Sequence, residues 1–160
     1  MDLGVQALDL CLFLLDRPKI SRVTATAPAG RYEVEDSANV LAEAEDGTTI
    51  SIEVTWSYFG DADHREVRVM GTEGSASMPP LTVYKQLGGR PLDVTPRQPW
   101  PRGGEDPYTN SYRRVLDHFI RTVTSQADAP LPVDQAHLMA VIEAAYLSAE
   151  EGREVSLAPV

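Results

Sequence analysis

Residues 37–58 read SANVLAEAEDGTTISIEVTWSY, and this stretch decides the fold. Two alternating runs flank Asp46-Gly47, a dipeptide favoured in tight hairpin turns. Past the turn, Ile50, Ile52, Val54, Trp56 and Tyr58 fall on one side of an extended chain, and Ser51, Glu53, Thr55 and Ser57 on the other. The pattern predicts an antiparallel hairpin in a sheet with one apolar and one polar side.

Toward the N-terminus, Ile20–Ala27 alternates with β-branched residues and is expected to be a further strand. Before it, Asp2–Leu15 is rich in helix formers and stops ahead of Arg17-Pro18. Toward the C-terminus, short strands are expected over 66–71, 75–78, 81–86 and 92–95. Thr72-Glu73-Gly74 and Leu87-Gly88-Gly89 supply the turns between them. Arg97–Pro107 holds three prolines and two glycines and predicts a loop, in which Trp100, with Tyr108 beyond it, is placed to cover a cleft or to pin the loop. Tyr112, Val115, Leu116, Phe119, Ile120 and Val123 repeat at helical spacing. Asp134 is expected to cap a second long helix with a buried stripe of Leu138, Val141, Ile142, Ala145 and Ala149. Gly152 ends that helix, and 154–157 gives a closing edge strand. Grouped strands followed by grouped helices predict an α+β fold, with one large, mostly antiparallel sheet and helices packed on one face.

At 160 residues the chain is long enough for one domain with a sizeable core. Its formal charge of −10 repels phosphate backbones, so nucleic acid is excluded as a partner. The longest apolar stretch, Leu10–Leu15, is far too short to span a bilayer, and no basic-then-apolar leader opens the chain. The single cysteine, Cys11, lies in an apolar run and is expected to be a buried, inert thiol. These features predict a cytoplasmic protein without membrane attachment.

Three polar residues interrupt the first helix. Asp2, Gln6 and Asp9 are spaced by four and three and project from one face. Read blandly, Asp2 caps the helix and the other two form a solvated stripe. His64, His118 and His137 are scattered, and Asp61, Asp63 and His64 lack the spacing of a calcium loop, so no metal is expected. Arg113-Arg114 reads as a solvated helix face. No Gly-x-Gly-x-x-Gly turn follows a strand, and Gly71-Thr72-Glu73-Gly74 joins two short strands. The chain alone is therefore expected to bind no NAD(P).

The stretch Asp2-Leu3-Gly4-Val5-Gln6-Ala7-Leu8-Asp9 resembles the Asp-x-Gly-x-His-x-x-Asp motif of the glucose–fructose oxidoreductase/inositol dehydrogenase family (Gfo/Idh/MocA). Val34-Glu35-Asp36-Ser37-Ala38 with the following hairpin resembles the family's central strands, and Val69–Ala76 its Gly-x-x-Gly turn. Asp117–Ile120, Pro130–Val133 and Val141–Ala149 resemble its closing helices, in the same order.

The resemblance implies that residues 1–160 are the substrate-binding and oligomerisation domain of a two-domain dehydrogenase. An N-terminal dinucleotide-binding domain, absent from this chain, would precede it and carry the catalytic lysine. It assigns Asp2 to the active-site aspartate, Gln6 to the position of the catalytic histidine, and Asp9 to a carboxylate that accepts hydrogen bonds from substrate hydroxyls. Glutamine orients a hydroxyl but takes no proton from it, so the chain departs from the family at its base. The implied substrate is a sugar, polyol or similar polyhydroxylated small molecule, and the implied cofactor of the full-length protein is NAD or NADP. Self-association is expected through the sheet face opposite the helices, because Val67, Val69, Met70, Met78, Leu81, Val83 and Tyr84 cannot all point to one side. A dimer or tetramer follows from that expectation. The alternative is a non-catalytic module that only associates with itself or a partner.

Overall fold

The structure, a computed structural model, describes residues 2–30, 33–97, 106–128 and 135–158. Its elements are α1 (Asp2–Leu14), β1 (Ile20–Thr26), β2 (Ser37–Ala44), β3 (Thr49–Thr55), β4 (Val67–Met70), β5 (Gly74–Met78), β6 (Thr82–Leu87), β7 (Arg90–Asp93), α2 (Pro107–Val123), α3 (Gln135–Glu151) and β8 (Val155–Ser156). They divide into two compact units, residues 1–59 with 131–160, and residues 60–130.

In the first unit the quoted stretch forms the β2–β3 hairpin, with Glu43 opposite Thr49 and Ser37 opposite Thr55. Gly47 turns at φ +84°, a conformation that residues with a Cβ rarely adopt. The Asp46 carboxylate accepts the Thr48 amide at 2.8 Å, and that bond holds its pKa below the ordinary carboxylate value. The four-stranded sheet runs β3-β2-β1-β8 and is antiparallel throughout. Alternation sends Val23, Ala25, Val40, Ala42, Ile50 and Ile52 to one face, where they pack with Leu8 and Leu12 of α1 and Leu138, Val141 and Ile142 of α3.

Two amides of β1 find partners on α3. Ile20 N donates to His137 Nε2 at 3.0 Å, and Ala25 N donates to Ser148 Oγ at 2.9 Å. Ser148 is fully buried, and its hydroxyl donates a hydrogen bond to the Arg153 carbonyl at 2.7 Å. Because β8 pairs with β1 at only two positions, α3 completes that edge.

The second unit contains the sheet β4-β5-β6-β7 and α2. Gly71 N donates to the Gly74 carbonyl at 2.9 Å, and a Cβ on Gly74 would meet the Tyr84 carbonyl oxygen at 2.3 Å. The Gly71–Gly74 segment is thus a strand-to-strand turn whose second glycine is needed for close approach. Asp106 caps α2, its carboxylate accepting the Tyr108 and Thr109 amides at 2.9 and 3.0 Å, with Pro107 in the first turn.

The α+β, antiparallel expectation holds, and three details are corrected. The strands form two four-stranded ladders rather than one large sheet, because β3 pairs only with β2 and β4 only with β5. The segment between them, residues 56–66, carries Gly60, Asp61 and Asp63 in place of an alternating run. Trp56 and Tyr58 therefore lie beyond the end of β3 and are exposed instead of extending its apolar face. Finally, none of the described side chains of α2 is buried. The Trp100 loop, the Asp134 cap and the Pro130–Val133 match lie outside the described residues.

Candidate functional site

The first turns of α1 place Asp2 and Gln6 side by side. Gln6 Nε2 donates to Asp2 Oδ1 at 3.1 Å, the contact that an i, i+4 spacing permits. Both side chains are exposed. The bond leaves Gln6 Oε1 as an acceptor, one amide proton as a donor, and further lone pairs on the carboxylate. The pair can orient a hydroxyl-bearing ligand. Its amide can accept no proton.

Asp9 is drawn elsewhere. The end of α1 reverses through Asp16 and Arg17, both in the left-handed region at φ 60° and 53°, and Arg17 N closes on the Leu12 carbonyl at 2.7 Å. That reversal turns the Arg17 side chain back along the helix, where Nη1 meets Asp9 Oδ1 at 3.1 Å. Asp9 lies seven positions beyond Asp2, about 10 Å along a helix axis. The structure joins Asp2 to Gln6 and gives Asp9 to an ion pair.

Two polar groupings in the first unit were not anticipated. Asp36 is buried and accepts hydrogen bonds from Ser57 Oγ at 2.8 Å and Ser37 Oγ at 3.1 Å, while the Ser37 and Thr55 hydroxyls bond at 2.8 Å. A Cβ on Gly30 would come within 1.9 Å of Asp36 Oδ2, so Gly30 admits the carboxylate. The signal was present, since the hairpin register set by Asp46-Gly47 brings Ser37 opposite Thr55. Beside Asp36, Glu35 Oε1 accepts the Tyr146 hydroxyl at 2.5 Å. Burial, and then this bond, push the Tyr146 pKa up to about 12. No local pattern links residues 111 positions apart.

Burial raises the Cys11 thiol pKa, which suits an unreactive side chain. His137 serves the backbone of β1. Among the described residues, no three or more His, Cys, Asp or Glu side chains are grouped to hold a metal ion. Among the described residues every strand pairing is antiparallel, and Gly71 and Gly74 join two strands rather than opening a helix.

Residues 1–77 match the GFO/IDH/MocA C-terminal domain. No curated protein matches the chain. Among solved structures, the chain is similar to GenD2 from gentamicin A biosynthesis in complex with NAD, at 28% identity and TM-score 0.69, over 99% of this chain and 47% of that one. It is similar to aldose-aldose oxidoreductase from Caulobacter crescentus complexed with glycerol, at 26% identity and TM-score 0.70, over 96% and 46%. An oxidoreductase domain protein from Kribbella flavida shares the fold at 19% identity and TM-score 0.79, over 99% and 49%. The chain spans about half the length of these relatives. The family match covers residues 1–77, just under half of the chain, and the chain shares its fold with oxidoreductases of known structure.

Proposed function

We propose that this chain is the substrate-side domain of an NAD(P)-dependent oxidoreductase acting on a sugar, polyol or related polyhydroxylated molecule, and that it is inactive without its nucleotide-binding half. The Asp2–Gln6 hydrogen bond carries the reading, because it presents a carboxylate and an amide together at the start of α1. Such groups match the donors and acceptors of adjacent hydroxyls. NAD and glycerol in the similar proteins support it. The cofactor would supply hydride chemistry from the other half. Asp2 and Gln6 would hold the reacting hydroxyl, and the proton would leave through a group outside this chain. Asp9, paired with Arg17, contributes to substrate binding only if that ion pair opens.

The reading includes self-association through an open sheet face, supported by Met70 and Tyr84. Both pair with Ser75, stand on one face of the second sheet and are exposed. It also carries a cytoplasmic setting, supported by the half-buried lone cysteine. Among the described residues no helix is long and apolar enough to cross a membrane. A second reading, a non-catalytic association module, is favoured by one observation: Gln6 provides no base.

The test is Gln6→His in the assembled enzyme. Restoring a group that titrates near neutrality is expected to raise turnover and introduce a pH dependence between about pH 6 and 8. Flat rates across that range, with no gain, would assign the proton to another residue.

A further inference from the structure

Asp46 is the only aspartate that a glycine follows in this chain, and no asparagine precedes a glycine. Such a dipeptide has a reaction of its own. The Gly47 amide nitrogen attacks Asp46 Cγ, the carboxyl hydroxyl leaves with the amide proton as water, and a five-membered cyclic imide forms. Water then adds to the imide carbonyl that came from the main chain and breaks its bond to nitrogen. The product is isoaspartate, whose main chain runs through Cβ and Cγ. We propose that Asp46 is the self-modification site of this chain, held unreactive by the closed β2–β3 hairpin and converted to isoaspartate when the hairpin opens.

The turn engages both reacting groups. Gly47 N donates to the Ala44 carbonyl at 3.0 Å, so the nitrogen must give up a hydrogen bond before it attacks. Asp46 Oδ1 accepts the Thr48 amide at 2.8 Å, which ties the carboxylate to the residue beyond the attacking nitrogen. The same bond holds the Asp46 pKa below its ordinary value, and a carboxylate is a poorer electrophile than the acid. Packing adds no guard: among the described residues, a Cβ built on Gly47 would meet nothing within 4 Å. The block is therefore the pair of hydrogen bonds, and it ends when the hairpin opens locally. Asp36 offers a contrast. It too precedes a small residue, Ser37, but it is buried and its carboxylate accepts the Ser57 and Ser37 hydroxyls. Isoaspartate also fits the turn badly. Its extra main-chain atom lengthens the link between Glu43 and Thr49, which stand opposite each other, and so disturbs the register of the two strands. The inference rests on neither the substrate nor the cofactor reading.

The test follows position 46 in the whole chain at neutral pH, either folded in buffer or held unfolded in guanidinium. Peptide mapping with Asp-N protease, which does not cut at isoaspartate, reads the conversion. Isoaspartate is expected at position 46 of the unfolded chain ahead of every other aspartate. In the folded chain it is expected to form about tenfold or more slowly, the factor set by how seldom the hairpin opens. Gly47→Ala, assayed unfolded so that its backbone strain has no effect, is expected to slow the reaction several-fold, because a Cβ beside the nitrogen hinders the attack. Chains purified with isoaspartate at position 46 are expected to unfold at a lower urea concentration than unmodified chains. Equal rates in the folded and unfolded chain, earlier conversion at another aspartate, no effect of Gly47→Ala, or an unchanged unfolding midpoint would each overturn the proposal.

Discussion

The two units of this chain bury their apolar residues very differently. Every fully buried apolar side chain among the described residues, from Leu8 to Val155, belongs to the first unit, and the second has none. Charge divides in the same way. Of the 24 acidic and 14 basic residues, the first unit holds 15 and five, the second nine and nine. The first unit therefore has a core of its own under an acidic surface. The second has well-formed strands and a capped helix, and none of its described apolar side chains is buried.

Substitutions should expose the contrast most strongly in the core. Leu12→Ala in the first unit is expected to cost about 2–5 kcal/mol in urea unfolding, since the side chain is lost from a packed site. Leu87→Ala, on an exposed position of β6, should stay within about 0.5 kcal/mol. Comparable losses at the two positions would break the comparison. The next effect is polar. Ser148→Ala leaves the Ala25 amide and the Arg153 carbonyl without their partner in a buried place, at a cost of about 1–3 kcal/mol by the same measurement.

Smaller effects sharpen the picture of each unit. In the second, the Thr109 hydroxyl and amide hold the Asp106 pKa below the ordinary carboxylate value. A depressed folded-state pKa gives a contribution that is complete above the ordinary carboxylate range and lost as pH falls through the folded value. Helical circular dichroism should therefore decline in acid, and Asp106→Asn should flatten that part of the profile. In the first unit, the raised Tyr146 pKa works in the opposite sense: its contribution is full below about pH 10 and disappears as pH rises through about 12. Ultraviolet titration of the six tyrosines should show one phenolate forming near 12, and Tyr146→Phe should remove it.

Local patterns were legible where one physical rule decides the outcome. Asp46-Gly47 fixed a turn, alternation fixed the buried face of β2 and β3, and helical spacing found the stripes of α2 and α3. What spacing cannot convey is which surface meets which. The same period that announces Val115 and Phe119 as apolar partners leaves open what they contact, and they remain exposed. The candidate site divides along the same line. Asp2 with Gln6 follows from i, i+4 geometry, but the loss of Asp9 to Arg17 depends on two left-handed residues after the helix. Tyr146 and Glu35 meet only through the tertiary fold.

The central claim is that this chain supplies hydroxyl-orienting groups and leaves the nucleotide to another half of the enzyme. Calorimetric titration of the chain with NADH and NADPH tests it most directly. The account predicts no saturable heat up to millimolar concentrations, because no helix N-terminus among the described residues follows a glycine-rich turn from a parallel strand. Saturable binding of either nucleotide at micromolar concentration would contradict it.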